Sequence, residues 1–419
     1  MVLNTVRDSL TDPQFIAEHR YQPADFSRNR ILTFERIALS FLSGAVPSLR
    51  AGADALLRSL AVAGPLGASK QAMSVAYRKF PFEAFIRLQE QVVTTFEQQI
   101  PGKRWMGLRL VAVDGTKIRL PLDDELAEAF GKNGNQTATE RPMALYVSHY
   151  DAQNGIPLGG ELSPSFMGER FLAERLLEQR RANDLMLYDR GFPSLPLFAL
   201  HRHLDRRFCA RLPLKFCPAV IAFLASGQTD ATVLWEASRG PKKDCAALGI
   251  PDTPVKLRLL RVTLPDGKAE VLATDLFDQN AFPAHLFKSL YARRWAVEEA
   301  FKTLKPALRV EQFRTRGVRA VYQEVYARFL TLTLASIARA LAQPTVTTHT
   351  QDRLHVYQIN FRAVLSKLRS AFYRLWDPVD TEPCLDLLMW IARDAEPLRP
   401  NFSAPHKSRY AQPLPLAGV

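Results

Sequence analysis

The spacing of apolar and polar positions divides the chain into stretches of different period. Within the first hundred residues, ILTFERIALSFLSGA and SLRAGADALLRSLAVAG repeat apolar side chains at helical spacing, and the second run stops at Gly64-Pro65. SKQAMSVAYRKF follows, with Ser69 placed to cap a helix that presents Lys70, Gln71, Ser74 and Arg78 outward. A helix, a Gly/Pro turn and a basic, polar-faced helix fit a helix-turn-helix-like DNA-binding module. A plain helical bundle fits the same pattern equally well.

Near Pro101-Gly102 the period shortens. LRLVAVDG reads as a buried strand ending at Asp114-Gly115, TKIRLP as its hairpin partner, and ALYVSHYDAQNGIPLGGELSPS as two strands about the Asn154-Gly155 turn. ERFLAERLLEQRRA then reads as a helix, and LMLYDRGF as a second buried strand ending on Asp189. Three antiparallel strands, a helix and another strand, with carboxylates closing the first and last strands, match the element order of a ribonuclease H-like α/β core. Residues 205–285 turn β-rich again in FCARLPL, ATVLWEAS and VKLRLLRVTLPDGKAEVLATDL, the last a hairpin through Pro265-Asp266-Gly267. Helical spacing returns in 291–375, and the Pro-rich, basic ending LRPNFSAPHKSRYAQPLPLAGV reads as an extended arm.

These shifts predict five parts. A helical DNA-binding domain covers 1–100 and a C-terminal helical region with a basic arm covers 341–419. Between them lies a ribonuclease H-like catalytic core in two pieces, 101–204 and 286–340, separated by a β-strand insertion over 205–285.

Composition adds a partner to this picture. Of the 419 residues, 47% are hydrophobic, as in a folded protein, yet the formal charge is +13, which suits a polyanion such as nucleic acid. Cys209, Cys217, Cys245 and Cys384 lack zinc-site spacing and are too sparse for a disulfide framework, so they read as reduced thiols. The N-terminus has no long apolar run, and no stretch approaches the roughly 18 uninterrupted apolar residues of a membrane span. A cytoplasmic protein without a membrane partner is expected.

Candidate chemistry concentrates in YARRWAVEEAFKTLK. Read as one helix at about 100° per residue, it places Tyr291, Arg294, Glu298 and Lys305 on a common face, within roughly 60° of arc. Trp295, Phe301 and Leu304 then fall elsewhere and are available to seat the helix on a core. A carboxylate between a guanidinium and an ammonium fits a site where Glu298 holds a metal and the cations take phosphates. The competing reading is a solvated face, with Glu298 and Lys302 paired one turn apart. Asp114 and Asp189 weigh against it: each closes an apolar strand just before Gly115 or Gly191, and together with Glu298 they make a triad able to hold two Mg²⁺ ions. Over residues 291–320, eight cations outnumber Glu298, Glu299 and Glu311, which favours a DNA backbone beside that triad.

VAVDGTKIRLP, LMLYDRGF and YARRWAVEEAFKTLK resemble the three catalytic blocks of DDE transposases of bacterial insertion sequences, specifically the insertion sequence 4 family. The third block carries that family's Tyr, Arg, Glu, Lys signature at Tyr291, Arg294, Glu298 and Lys305, and the order of parts resembles the family from roughly residue 10 to 400. The resemblance implies a cut-and-paste transposase, cytoplasmic and nucleoid-associated in a bacterium. Asp114, Asp189 and Glu298 would be the catalytic, Mg²⁺-binding triad, with Mn²⁺ able to substitute, and Tyr291, Arg294 and Lys305 would contact transposon-end phosphates. It also implies double-stranded DNA partners (inverted terminal repeats and target), a homodimer at synapsis and a hairpin intermediate. Two alternatives stand beside it: a catalytically silent, transposase-derived DNA-binding regulator, and a metal-dependent nuclease without strand transfer.

Other residues invite roles of less weight. Trp235, in the β-rich insertion, is placed to stack on an extruded base, as members of this family use an aromatic there; a buried strand tryptophan is the commoner case. Lys117 and Arg119 point to one side of their strand, toward DNA or solvent. His201 and His203 read as exposed helix histidines, and Glu324 as a packing residue.

Overall fold

The computed structural model describes residues 2–27, 31–44, 69–133, 140–236, 239–251, 253–264, 267–314, 317–372 and 383–398, with the side chains of 239, 303–307 and 383–385 outside the description. The second helix predicted near residues 48–64, the side chain of Cys384 and residues 399–419 of the C-terminal arm lie outside the described residues, as do Pro265 and Asp266. The chain folds as two compact units: Met1–Pro101 with Leu120–Ala129 and Leu304–Val419, and Gly102–Arg119 with Phe130–Thr303.

The first unit is helical. It begins with α1 (Val2–Thr11), α2 (Pro13–Glu18), α3 (Phe34–Ser43), α4 (Lys70–Lys79) and α5 (Glu83–Gln99). Asp12, Thr33 and Ser69 cap α2, α3 and α4 through side-chain oxygens that accept the free amides of the first turn. These helices and the later C-terminal ones share one core, because apolar faces too narrow to be buried singly are covered by α13 (Val318–His349). Gln89 donates to Thr333 Oγ1 at 3.0 Å, and the rings of Tyr322 and Tyr326 stack on Phe82. By length and hydropathy α13 alone among the described helices is long and apolar enough to cross a membrane, but 83% of its most apolar window is buried, as in a core helix. On α4, Lys70, Gln71 and Arg78 are exposed while Met73, Ala76 and Tyr77 are buried.

The second unit is a mixed α/β layer built on a sheet of nine strands among the described residues. In chain order its strands are β1 (Arg109–Arg119), β2 (Lys132–Asn133), β3 (Arg141–Asp151), β4 (Ile156–Pro164), β5 (Asp184–Tyr188), β6 (Arg207–Leu212), β7 (Asp230–Trp235), β8 (Val255–Thr263) and β9 (Ala269–Thr274). Helices α7 (Glu169–Leu177), α8 (Leu195–His203), α9 (Pro218–Ala225), α10 (Arg239–Ala247) and α11 (Phe287–Ala292) connect them, with α6 (Asp124–Phe130) and α12 (Trp295–Leu308) at the boundaries between units. The spatial order is β2-β3-β1-β5-β6-β9-β8-β7, with β4 beyond β3. β1, β5 and β6 run parallel and the remaining pairs antiparallel. This is the ribonuclease H-like arrangement. The strands of 205–285 are not a separate sheet: β6 lies beside β5, and β9, β8 and β7 extend the same sheet from it.

The expected hairpin at Asp114-Gly115 is absent. β1 runs on through Gly115 to Arg119 and pairs along its length with β3, Asp114 opposite Ser148. Gly115 is not among the residues of positive φ, so nothing turns the chain there; the turn is made at Gly155, at φ 72°, as predicted. α14 (Phe361–Ala371), α15 (Pro383–Ala392) and the small pair β10 (Tyr357–Ile359) and β11 (Ala395–Pro397) complete the helical unit.

Candidate active site

β1 and β5 are neighbours in parallel register, Arg109 opposite Asp184 and Ala112 opposite Leu187. Continuing both strands by two residues brings Asp114 and Asp189 to the same end of the sheet. At the opposite end buried Arg109 donates from Nε and Nη2 to Oδ1 and Oδ2 of buried Asp184 at 2.6 and 2.7 Å, and Arg181 N donates to Oδ2 at 3.0 Å. This bidentate pair pins the register that aligns the aspartates.

Each aspartate has its own local support. Asp114 Oδ1 accepts from Gly115 N at 3.1 Å, and Asp189 Oδ1 from Gly191 N at 2.8 Å. Tyr188, just before Asp189, is held at both ends: its carbonyl accepts from Tyr291 Oη at 3.2 Å, and its hydroxyl lies 3.0 Å from His201 Nε2. His201 is therefore not the exposed histidine expected. Burial in the core pushes its ring down to about 3, so it stays neutral beside Tyr188.

The stretch 291–305 differs from the single helix its spacing predicts. α11 ends at Ala292, Arg293 and Arg294 form a turn, and α12 starts at Trp295. The amides of Arg293, Arg294 and Ala296 bond three residues back rather than four, which tightens the backbone at the junction. Helical arc cannot be carried across such a break, so spacing alone does not put Tyr291 on the face that Arg294 and Glu298 share. Tyr291 points inward, 7% exposed, with Leu185, Leu187, Phe287 and Leu290, and its hydroxyl is committed to the Tyr188 carbonyl. Trp295, assigned to the core, is instead 50% exposed, with the Arg294 guanidinium 5.0 Å and the Lys302 ammonium 6.0 Å from its ring centre. Val297 and Phe301 do the seating. The side chains of Leu304 and Lys305 lie outside the described residues.

Glu298 does not pair with Lys302; that lysine takes Glu299, at 2.7 Å. Glu298 Oε1 accepts from Arg294 Nη2, one turn back. The Arg294 side chain is 4% exposed, and its Nε and Nη1 have no hydrogen-bond partner. Only Nη2 of this buried cation thus serves a carboxylate, leaving Nε and Nη1 for a second anion.

Electrostatics join the pieces. The Asp114 carboxyl is pushed up to about 7, first by burial, against the pull of Arg294, and further by Glu298, Glu169 and Asp189. Glu169 was not singled out in the sequence; as the first residue of α7 it looks like ordinary first-turn acid. Its carboxyl, exposed as the residue is overall, is raised by desolvation and by Asp189, with Lys117 opposing. Among the described residues no three His, Cys, Asp or Glu side chains already converge tightly enough to hold a metal ion. The donor set nevertheless fits a hard divalent cation: all-oxygen ligands with more negative charge than Arg294 cancels.

The remaining expectations are placed as follows. Trp235, on edge strand β7, packs its ring edge-on against Phe216 and Phe198, at 4.8 and 6.3 Å. Lys117 and Arg119 are exposed on β1. Glu324, in the helical unit, is 1% exposed and paired with Arg328 and Arg314, a supporting role. Cys209, Cys217 and Cys245 are buried.

A ribonuclease H-like sheet that gathers two strand-end aspartates and a helix glutamate defines a nucleic-acid phosphoryl-transfer fold. The chain belongs to the DDE transposases: the family model of the transposase DDE domain matches residues 105–334, more than half of it. It is 28% identical over 272 residues to the transposase InsG for insertion sequence element IS4 of Escherichia coli strain K12, a match that takes in 62% of this chain and 58% of that relative. Among solved structures it resembles the piggyBac transposase synaptic complex with hairpin DNA, at 11% identity and a TM-score of 0.44, over 93% of this chain and 85% of that one.

Proposed function

We propose that this protein is a cut-and-paste DNA transposase that binds the inverted repeats of its element, cleaves their strands and joins the freed 3′ ends to target DNA. The observation that carries the reading is the Asp114 carboxyl, raised by burial and by the charges of Glu298 and Asp189, beside an Arg294 with two of its nitrogens unpartnered. The three carboxylates would hold the divalent cations, Mg²⁺ or Mn²⁺. When bound, such ions supply Lewis-acid stabilisation of the attacking and leaving oxygens. Arg294 orients the scissile phosphodiester with the N–H groups that Glu298 leaves free, and Lys305 on α12 adds charge along the backbone. Tyr291 contributes by fixing the Tyr188 carbonyl and hence Asp189. Lys70, Gln71 and Arg78, exposed on α4, are the contacts to the terminal repeat. Second-strand cleavage proceeds through a hairpin, and two protomers pair the two ends.

The test uses DNA carrying the repeats that flank the gene. Wild-type protein with Mg²⁺ is expected to nick and then join these ends, while Glu298→Gln binds them without cutting. Binding without cleavage by the wild type would instead identify a silent regulator, and nicking without joined product a nuclease.

A further inference from the structure

Helix α4 is fixed at both ends and bare along its outer side. At its start Ser69 Oγ accepts from Ala72 N at 3.1 Å. At its far end side chains of α13 hold the last carbonyls: Gln323 donates to those of Tyr77 and Phe80, and Arg319 Nη1 to that of Arg78 at 2.8 Å. Met73, Ala76 and Tyr77 seat the helix, with the Tyr77 ring 4.4 Å from that of Phe41 and its hydroxyl 2.8 Å from Ser40 Oγ, both on α3. Gln71, Val75 and Arg78 lie on the side opposite these: at about 100° per residue they fall within about 60° of arc, along roughly 10 Å of axis. All three are exposed, and Val75 is 43% exposed. α4 carries no acid, and of Lys70, Arg78 and Lys79 only the last is paired among the described residues, with Asp25 at 3.1 Å.

We propose that α4 enters the major groove of the terminal repeat and that its ridge of Gln71, Val75 and Arg78 reads base edges. Gln71 meets an adenine, Val75 a thymine methyl group and Arg78 a guanine, while Lys70 holds a flanking phosphate. The inference rests on the transposase reading and adds to it the residues that set sequence preference. Positive charge alone would suit any DNA. The ridge adds what charge does not supply. An amide with donor and acceptor side by side matches adenine N6 and N7, a guanidinium matches guanine O6 and N7, and an apolar side chain between them matches the methyl group of thymine. A ridge of roughly 10 Å spans about three base pairs at about 3.4 Å each, so the three contacts fall on neighbouring pairs. A β-branched valine is a poorer helix former than the polar residues that usually fill an exposed position, so its place at the centre of the ridge calls for a contact. The hold of α3 and α13 on the helix keeps the ridge in one orientation, as readout of base edges requires.

The experiment measures the affinity of the full-length protein for end DNA carrying the repeats that flank the gene. Each base pair is replaced in turn, and each thymine is separately exchanged for deoxyuridine, which lacks only the methyl group. For the wild type, losses of about tenfold or more are expected within a run of about three or four base pairs, and a loss of about fourfold at one deoxyuridine in that run. Gln71→Ala should flatten the profile at one A·T pair and Arg78→Ala at one G·C pair, and Val75→Ala should bind the thymine and deoxyuridine ends equally. Lys70→Ala should weaken every sequence alike and reduce the slope of log affinity against log salt by about one. The deoxyuridine exchange alters the DNA alone, so a wild type indifferent to it at every position overturns the Val75 contact whatever the variants do. Gln71→Ala or Val75→Ala proteins that keep the wild-type profile, or that lose affinity evenly across all sequences, overturn the proposal. If the wild type prefers and cleaves its ends while these variants keep its profile, only this inference fails; if the wild type neither prefers nor cleaves them, the transposase reading fails as well.

Discussion

The same two strands carry opposite charge arrangements at their two ends. Where β1 and β5 begin, Arg109 and Asp184 form a buried, bidentate pair with one cation for one anion. A few residues on, Asp114 and Asp189 lie near Glu298 with Arg294 as counter-charge, and Asp114 is held up to about 7, first by burial and then by the neighbouring acids. One end is electrostatically complete and serves the fold. The other is left in deficit, as functional sites are when their charge is to be balanced by a ligand.

Breaking the complete end should produce the largest change in stability. Arg109→Met leaves Asp184 buried without its cation, and a loss of about 3–5 kcal/mol is expected in chemical denaturation. Adding Asp184→Leu should restore most of that loss, because an apolar pair of similar volume does not need the charge. A single substitution costing less than about 1 kcal/mol would mean that the pair is not what fixes the strand register.

Relieving the deficient end should do the reverse. The raised carboxyl of Asp114 binds a proton in the folded chain at pH values where the unfolded chain has lost it, so its ionisation destabilises the fold as pH rises from about 4 toward 7 and fully above 7. Asp114→Asn is therefore expected to raise stability by about 1–2 kcal/mol at pH 8, after discounting for solvent access, and by little at pH 4. Thermal melts at the two pH values check the sign. Equal effects at both would remove the case for a costly buried charge at Asp114.

The smallest expected effect separates positioning from DNA contact. Tyr291→Phe removes one buried hydrogen bond, worth about 1 kcal/mol. Because the hydroxyl faces Tyr188, end-DNA affinity should hold while the cleavage rate falls. A drop in affinity with unchanged rate would return Tyr291 to the phosphate contacts implied by the family signature.

Much of this was legible beforehand. Short runs such as LRLVAV and LMLY can only be buried strands, and the acids that follow them could be paired with Glu298 by residue type and order alone. What misled was punctuation. Asp114-Gly115 looks like a turn, but the glycine is required by the neighbour that lies on it, a tertiary contact no local pattern reports. The helix wheel through 291–305 failed at Arg293 and Arg294, where the backbone tightens without any proline or glycine to announce it. Trp295 is consequently outside and Tyr291 inside.

The most direct test of the central claim is Mg²⁺-dependent cleavage of the element's own end DNA by wild type and by Asp114→Asn, Asp189→Asn and Glu298→Gln, with end binding measured in parallel. The account predicts that each substitution abolishes cutting and that all three proteins still bind the ends. Cutting that persists in any one of them, at the wild-type rate and with the same need for Mg²⁺, would contradict it.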